Sequence, residues 1–145
     1  EDKEVEAYTP DLRSFNFPSA MRVLDQEDTK TAEKFNVRYE NRKEKLTVRR
    51  LDSFEFSGQV KLIKIDVEFM ELEVVLGGKN TIRRHRPVMW VENEKYFDDP
   101  SDRTFVDTMA AELDYQCRPI AKLELLCMPK DSVEGGLPAG FQRVF

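Results

Sequence analysis

Leu62-Ile63-Lys64-Ile65-Asp66-Val67-Glu68-Phe69-Met70-Glu71-Leu72-Glu73, followed by Arg86-Pro87-Val88-Met89-Trp90-Val91-Glu92, decides the fold. Val60 to Val67 carries aliphatic residues on both alternating faces, as a parallel strand covered on two sides does. Lys61 and Lys64 interrupt it and need a partner or a route to solvent. From Glu68 or Met70 onward, Leu72, Val75, Leu76 and Ile82 share one helical face. Arg83-Arg84-His85-Arg86 then puts positive charge where the helix dipole favours it, and Pro87 stops the helix. Val88 to Val91 is the next strand. Two parallel strands joined by a helix follow, each ending in a carboxylate.

Those residues resemble the FkbM family of S-adenosylmethionine-dependent methyltransferases. In that family a K-I-D-V-E-G-x-E-L-E-V-L-x-G-A pattern precedes a helix, and an R-P-x-x-x-x-E strand follows it. The likeness runs from Lys64 to Glu92 with one departure, Phe69 in the place of a glycine. It implies methyl transfer from S-adenosylmethionine to a hydroxyl of a metabolite, sugar or glycan. The expected fold is α/β: the second half of a Rossmann-like class I methyltransferase sheet, mostly parallel with an antiparallel closing strand.

Working outward, residues 1–18 are polar and acidic with Pro10 and Pro18 as breakers, and read as an irregular leader. Met21 to Leu24 suggests a short strand. Phe35 to Tyr39 and Leu46 to Val48 alternate as strands, with a turn at Asn41 to Lys45 between them. Gly77-Gly78 inside the first helix costs about 1 kcal/mol per glycine relative to alanine, so close packing on the sheet is the expected compensation. Asp98 to Ser101 is a loop, with Ser101 capping a helix that buries Phe105, Val106, Met109, Ala110 and Leu113. Ile120 to Met128 supplies one or two closing strands. Residues 19–130 form the domain on this reading, and 131–145 a tail.

In open α/β sheets ligands bind beyond the carboxyl ends of the strands. Asp66 and Glu68 leave the first strand there and Glu92, Asn93 and Glu94 the second; neighbouring strand axes lie about 4.8 Å apart. Asp66, Glu68 and Glu92 are therefore the candidate catalytic residues, able to hold a hydroxyl or accept its proton. The bland reading of Glu68 and Glu71 is that of anions at a helix start, each stabilising by about 0.3–1 kcal/mol. A magnesium ion shared by Asp66, Glu92 and Asn93 is the lesser reading, because spacing fixes no third carboxylate. Phe69 meets a conflict if the family glycine serves a positive φ: a bulky residue there is strained or blocks the pocket.

No Gly-rich turn of the kind that cradles a nucleotide-type cofactor stands between Glu1 and Val60, so no residue is assigned to the cofactor. The chain begins without methionine and reads as a segment of a longer parent, inactive alone, whose missing N-terminal half or an oligomeric partner completes the site. A non-catalytic binding module in which Phe69 fills the old pocket is the alternative, and a free-standing structural domain a third reading. A net charge of -5 over 145 residues argues against nucleic-acid binding. No apolar run reaches the length of a membrane helix, and a cytoplasmic location is expected. Cys117 and Cys127, far from any metal or redox spacing, are expected as reduced thiols. His85 and the arginines around it read as a solvated helix end, and Trp90 as core.

Overall fold

The computed structural model describes the backbone of residues 3–10 and 39–134 and the side chains of 3–7 and 43–132. The chain falls into two compact units, Glu1–Arg50 and Leu51–Phe145. In the first, β1 (Lys3–Pro10) pairs antiparallel with β2 (Tyr39–Val48), from Lys3 opposite Val48 to Tyr8 opposite Lys43. Two expectations change here. The stretch read as an irregular leader holds a strand over residues 3–10, and the turn read at Asn41 to Lys45 lies inside one continuous strand. The reason is pairing: each polar residue of one strand finds backbone partners on the other, so the sequence has no need of an apolar stripe. The strand read at Met21 to Leu24 and most of that at Phe35 to Tyr39 lie outside the described residues.

The second unit is a mixed α/β fold. A 3-10 turn (Leu51–Ser53) leads to β3 (Leu62–Ile65), α1 (Glu71–Gly77), α2 (Lys79–His85), β4 (Val88–Glu92), α3 (Glu94–Asp98), α4 (Thr104–Leu113), β5 (Tyr115–Ala121), β6 (Glu124–Pro129) and α5 (Lys130–Glu134). The sheet order is β3-β4-β6-β5. β3 and β4 are parallel, and β6 runs antiparallel to both β4 and β5. Three strands thus share one direction and the last inserts between β4 and β5 against them, so the sheet is mixed, with one parallel neighbour pair. This arrangement is compatible with part of a Rossmann-like fold.

The core lies on one side of the sheet. Ile65, Met89, Val91 and Leu125 meet Val75 and Ile82 of the first two helices and Phe105, Val106, Met109 and Leu113 of α4. Each such side chain, when fully buried, stabilises by about 1.5–3 kcal/mol. On the other side the β3-β4 half is exposed, with Leu62 at 55% and Trp90 at 42%, while Leu126 and Met128 of β6 are buried. Neither the two-sided covering expected of β3 nor the core position expected of Trp90 holds, because the pleat sends both residues to the face without helices. Lys64 on that face lies over the Trp90 ring and pairs with Glu124 at 3.2 Å, and the Trp90 indole N–H donates to the same carboxylate.

The helix expected as one piece is two, broken at Gly78. A Cβ there would stand 2.7 Å from Leu51 Cδ2, so the close packing is on the 3-10 turn and not on the sheet. Asp52 beside it accepts the N–H groups of Asn80 at 3.1 Å and Thr81 at 2.8 Å, closing the start of α2. Leu76, expected on the buried face, is 42% exposed. Arg86 ends α2 at φ 51, a left-handed cap. Its guanidinium donates to Leu113 O and Asp131, both within 2.9 Å, so it ties α2 to the end of α4 and to α5. His85 is buried against Phe56, its Nδ1 accepting the Val60 N–H at 3.3 Å. That overturns its reading as part of a solvated end.

Cys117 and Cys127 are register partners on β5 and β6 and are joined as a disulfide, correcting the reduced-thiol expectation. Sequence separation hides such a pair; the strand register creates it. Ser101 does not cap α4: it bonds Asp99, while Asp102 accepts the Thr104 N–H at 3.1 Å. Among the described residues no helix is long and apolar enough to cross a membrane.

Candidate functional site

Register fixes the rim. Ile65 pairs with Val91 in the parallel β3-β4 ladder, so the next residues, Asp66 and Glu92, leave adjoining strands on the same edge. Their proximity is felt electrostatically. Burial first, then the charges of Asp66 and Glu124, push the Glu92 carboxyl above its ordinary range. Glu68 is also raised, by burial and then by Glu94, Asp66, Glu92 and Glu71. Asp66 is more exposed and lies 3.9 Å from the Lys64 ammonium. The three sequence-nominated acids therefore converge, together with Glu94. Among the described residues no group of three or more His, Cys, Asp or Glu side chains has the arrangement of a metal site.

Between Asp66 and α1 the chain turns sharply. Met70 N–H donates to Val67 O at 3.3 Å, and the two residues inside the turn, Glu68 and Phe69, stand at φ 48 and 74. Mirror-image turns need positive φ at both central positions, which glycine accepts freely and an L side chain accepts at about 1–2 kcal/mol. This is the physical meaning of the aromatic in a glycine position: the turn is kept and strained, not replaced. Two contacts hold it. Phe69 N–H donates to Glu71 Oε1 at 2.9 Å, and Lys95 Nζ donates to Phe69 O at 3.3 Å. Glu71 is only 4% exposed, and its burial raises its carboxyl against the opposing pull of those backbone N–H groups and Lys95. Its role is to fasten the turn.

Beside the turn opens a cavity of 230 Å³ lined by Phe69, Glu71, Leu72, Asn93, Lys95, Asp102, Thr104 and Phe105. Pockets that take a whole drug-sized ligand measure roughly 300–1,000 Å³, so this space suits part of a ligand. Its floor is Asn93, which follows β4 directly and caps α3 by accepting the Tyr96 N–H at 3.0 Å. Thr104 donates to Asp102 and holds that carboxyl below its usual range. Lys95, Asp102 and Thr104 were not nominated from sequence, and Asn93 only as a metal ligand. The signal available was Asn93-Glu94, an N-cap with an acid in the first turn, which marks α3 and so the helix that brings Lys95 to Phe69.

A nucleotide-type cofactor wants glycines whose missing side chains let backbone amides approach. Gly58 faces open space, and the room beside Gly78 is filled by Leu51. Neither forms a cradle, and no described residue is assigned to a cofactor.

No curated protein and no solved structure matches the chain significantly. A family model does, the methyltransferase FkbM domain, over residues 5–117. That span reaches from the first unit into β5 of the second and includes Asp66, Glu68 and Glu92, and the chain belongs to the FkbM methyltransferase family.

Proposed function

We propose that this chain carries the acceptor side of an S-adenosylmethionine-dependent O-methyltransferase, with Glu92 as the base and Asp66 and Glu68 shaping its field. The observation that carries the reading is the shared rim: Asp66 and Glu92 end adjoining parallel strands, and Glu92 is raised by burial and by its acidic neighbours. A raised carboxyl is the better proton acceptor, and a positioned base contributes typically about 10²–10⁴-fold to rate. The acceptor hydroxyl would enter from the adjacent cavity and lose its proton to Glu92 as its oxygen becomes the nucleophile.

S-adenosylmethionine supplies the methyl group in this reading. The described residues do not themselves fit it, so the cofactor-binding part is assigned to none of them. The order β3-β4-β6-β5, with the last strand reversed, supports the late strands of a class I methyltransferase sheet. A non-catalytic module with Phe69 plugging the pocket is less well supported, since the ring lines a cavity that persists. The cytoplasmic location expected from the sequence sits poorly with the Cys117–Cys127 bond, because disulfides persist in oxidising compartments.

Formation of S-adenosylhomocysteine by the natural protein containing this chain, assayed over a panel of hydroxylated acceptors, tests the proposal. Glu92→Gln is expected to lower kcat by about 10²-fold or more with the cofactor KM unchanged. Wild-type turnover by that variant would remove Glu92 from the chemistry.

A further inference from the structure

Asn93 is 3% exposed and nearly every polar atom it owns has a place. Its backbone N–H donates to Leu123 O at 2.8 Å, and its Oδ1 accepts the Tyr96 N–H at 3.0 Å. The second bond also fixes the side-chain amide, since a flipped amide would set NH2 against N–H. Nδ2 is thereby left as the end that is not used by the helix cap. No described group accepts from it, although Asn93 lines the cavity. A buried donor without a partner costs about 1–3 kcal/mol, and such a group in a native fold needs a reason.

Each of the other polar groups of the cavity wall holds at least one contact. Glu71 holds Phe69 N–H, Lys95 holds Phe69 O, and Thr104 is bonded to Asp102. Phe69 and Phe105 supply apolar surface. The charged groups keep further capacity, a second oxygen on each carboxylate and two more hydrogens on Lys95, but the Asn93 amide is the neutral group of the wall whose donor hydrogens are both unplaced. An acidic rim by itself would attract a cation; a buried amide NH2 beside it rejects an ammonium and accepts a lone pair. Resting on the reading of this cavity as the acceptor side, we propose that Asn93 orients the acceptor, its Nδ2 donating to an oxygen of a neutral, hydroxylated ligand.

The test uses the full chain, labelled with nitrogen-15 so that side-chain amides are visible by NMR. Asn93→Asp and Asn93→Ser both keep an oxygen to cap α3 and both remove the donor; the first adds a charge and the second does not. Methyl α-glucoside is the probe and methylammonium the cationic contrast. The glycoside is expected to move the Asn93 side-chain signal saturably together with the Thr104 amide. Both variants should bind it about tenfold more weakly, the order expected for one lost hydrogen bond, while the Tyr96 amide keeps its capped position. A purely structural role would instead move Tyr96 in both variants and leave glycoside affinity alone. The inference is overturned if no glycoside response appears, if Asn93 stays still while Thr104 moves, if either variant binds like wild type, or if methylammonium is preferred. S-adenosylhomocysteine formation is read separately: its absence with the Asn93 response intact breaks the methyltransferase reading and leaves the oriented donor standing.

Discussion

Where β3 and β4 end, two residues are held at positive φ, two carboxyls are raised by burial and by neighbouring acids, and a buried amide NH2 has no partner among the described residues. The β5-β6 pair on the other side of the sheet is the opposite. Cys117 and Cys127 are bonded, the Tyr115 hydroxyl donates to Pro87 O at 2.8 Å, and Leu125 to Pro129 are all buried. Burial raises the Tyr115 hydroxyl's pKa, which keeps it a donor throughout the working pH range. One region satisfies its groups, and the other keeps a buried donor unsatisfied beside a strained turn. Strain and unmet polar capacity concentrate where a ligand can use them, and the packed pair beside them supplies the stability that tolerates it.

The sharpest way to break this contrast is to weaken the stable side. Cys117→Ser with Cys127→Ser opens a bond closing a sequence separation of 10 residues. The expected loss is about 2–3 kcal/mol of unfolding free energy, measured by denaturant titration, with the cavity's response to small ligands kept. If the double variant is as stable as wild type, the closing pair is not the anchor.

Next comes the strained turn, where the comparison is between two substitutions at Phe69. Both Phe69→Gly and Phe69→Ala remove the ring, but only glycine is at ease at φ 74. Glycine should be the more stable of the two by about 1 kcal/mol, reversing the order these residues show in a helix or strand. Alanine at or above glycine in melting temperature would mean that the turn relaxes and that no strain is stored there.

How much of this was readable beforehand follows from the range of the interactions. β3, β4, α4 and the shared rim came from local periodicity and the carboxylate at each strand end, which need no knowledge of partners. Phe69's conflict was legible only through the resemblance, which puts a glycine at that position. What escaped depends on register or on distant contacts. The Cys117–Cys127 bond exists only once β5 and β6 are aligned, Trp90 is exposed only because helices cover a single face, and Gly78 breaks the helix because Leu51 needs the space. The β1-β2 pair was missed since polar strands stabilised by each other carry no apolar pattern. Asn93 was visible as a residue, but its unmet donor appears only when the cap bond to Tyr96 has used its oxygen.

The smallest effect concerns the acids themselves. Glu68 has its carboxyl raised by burial first and by Glu94, Asp66, Glu92 and Glu71 after it. The folded chain therefore holds that proton more tightly than the unfolded one, whose carboxyl titrates at the ordinary value of 4.5. In the window from that value up to the raised one, the native state binds more protons, and stability falls as pH rises. Below the window Glu68 is neutral in both states. Glu68→Gln removes the charge and hence the fall, so the variant should match wild type near pH 4 and exceed it near pH 8, by less than about 1 kcal/mol given the residue's partial exposure. The same stability gap at both pH values would show that the rim's carboxylates do not strain one another. The rim would then differ from the β5-β6 pair in backbone geometry and unmet hydrogen bonding alone.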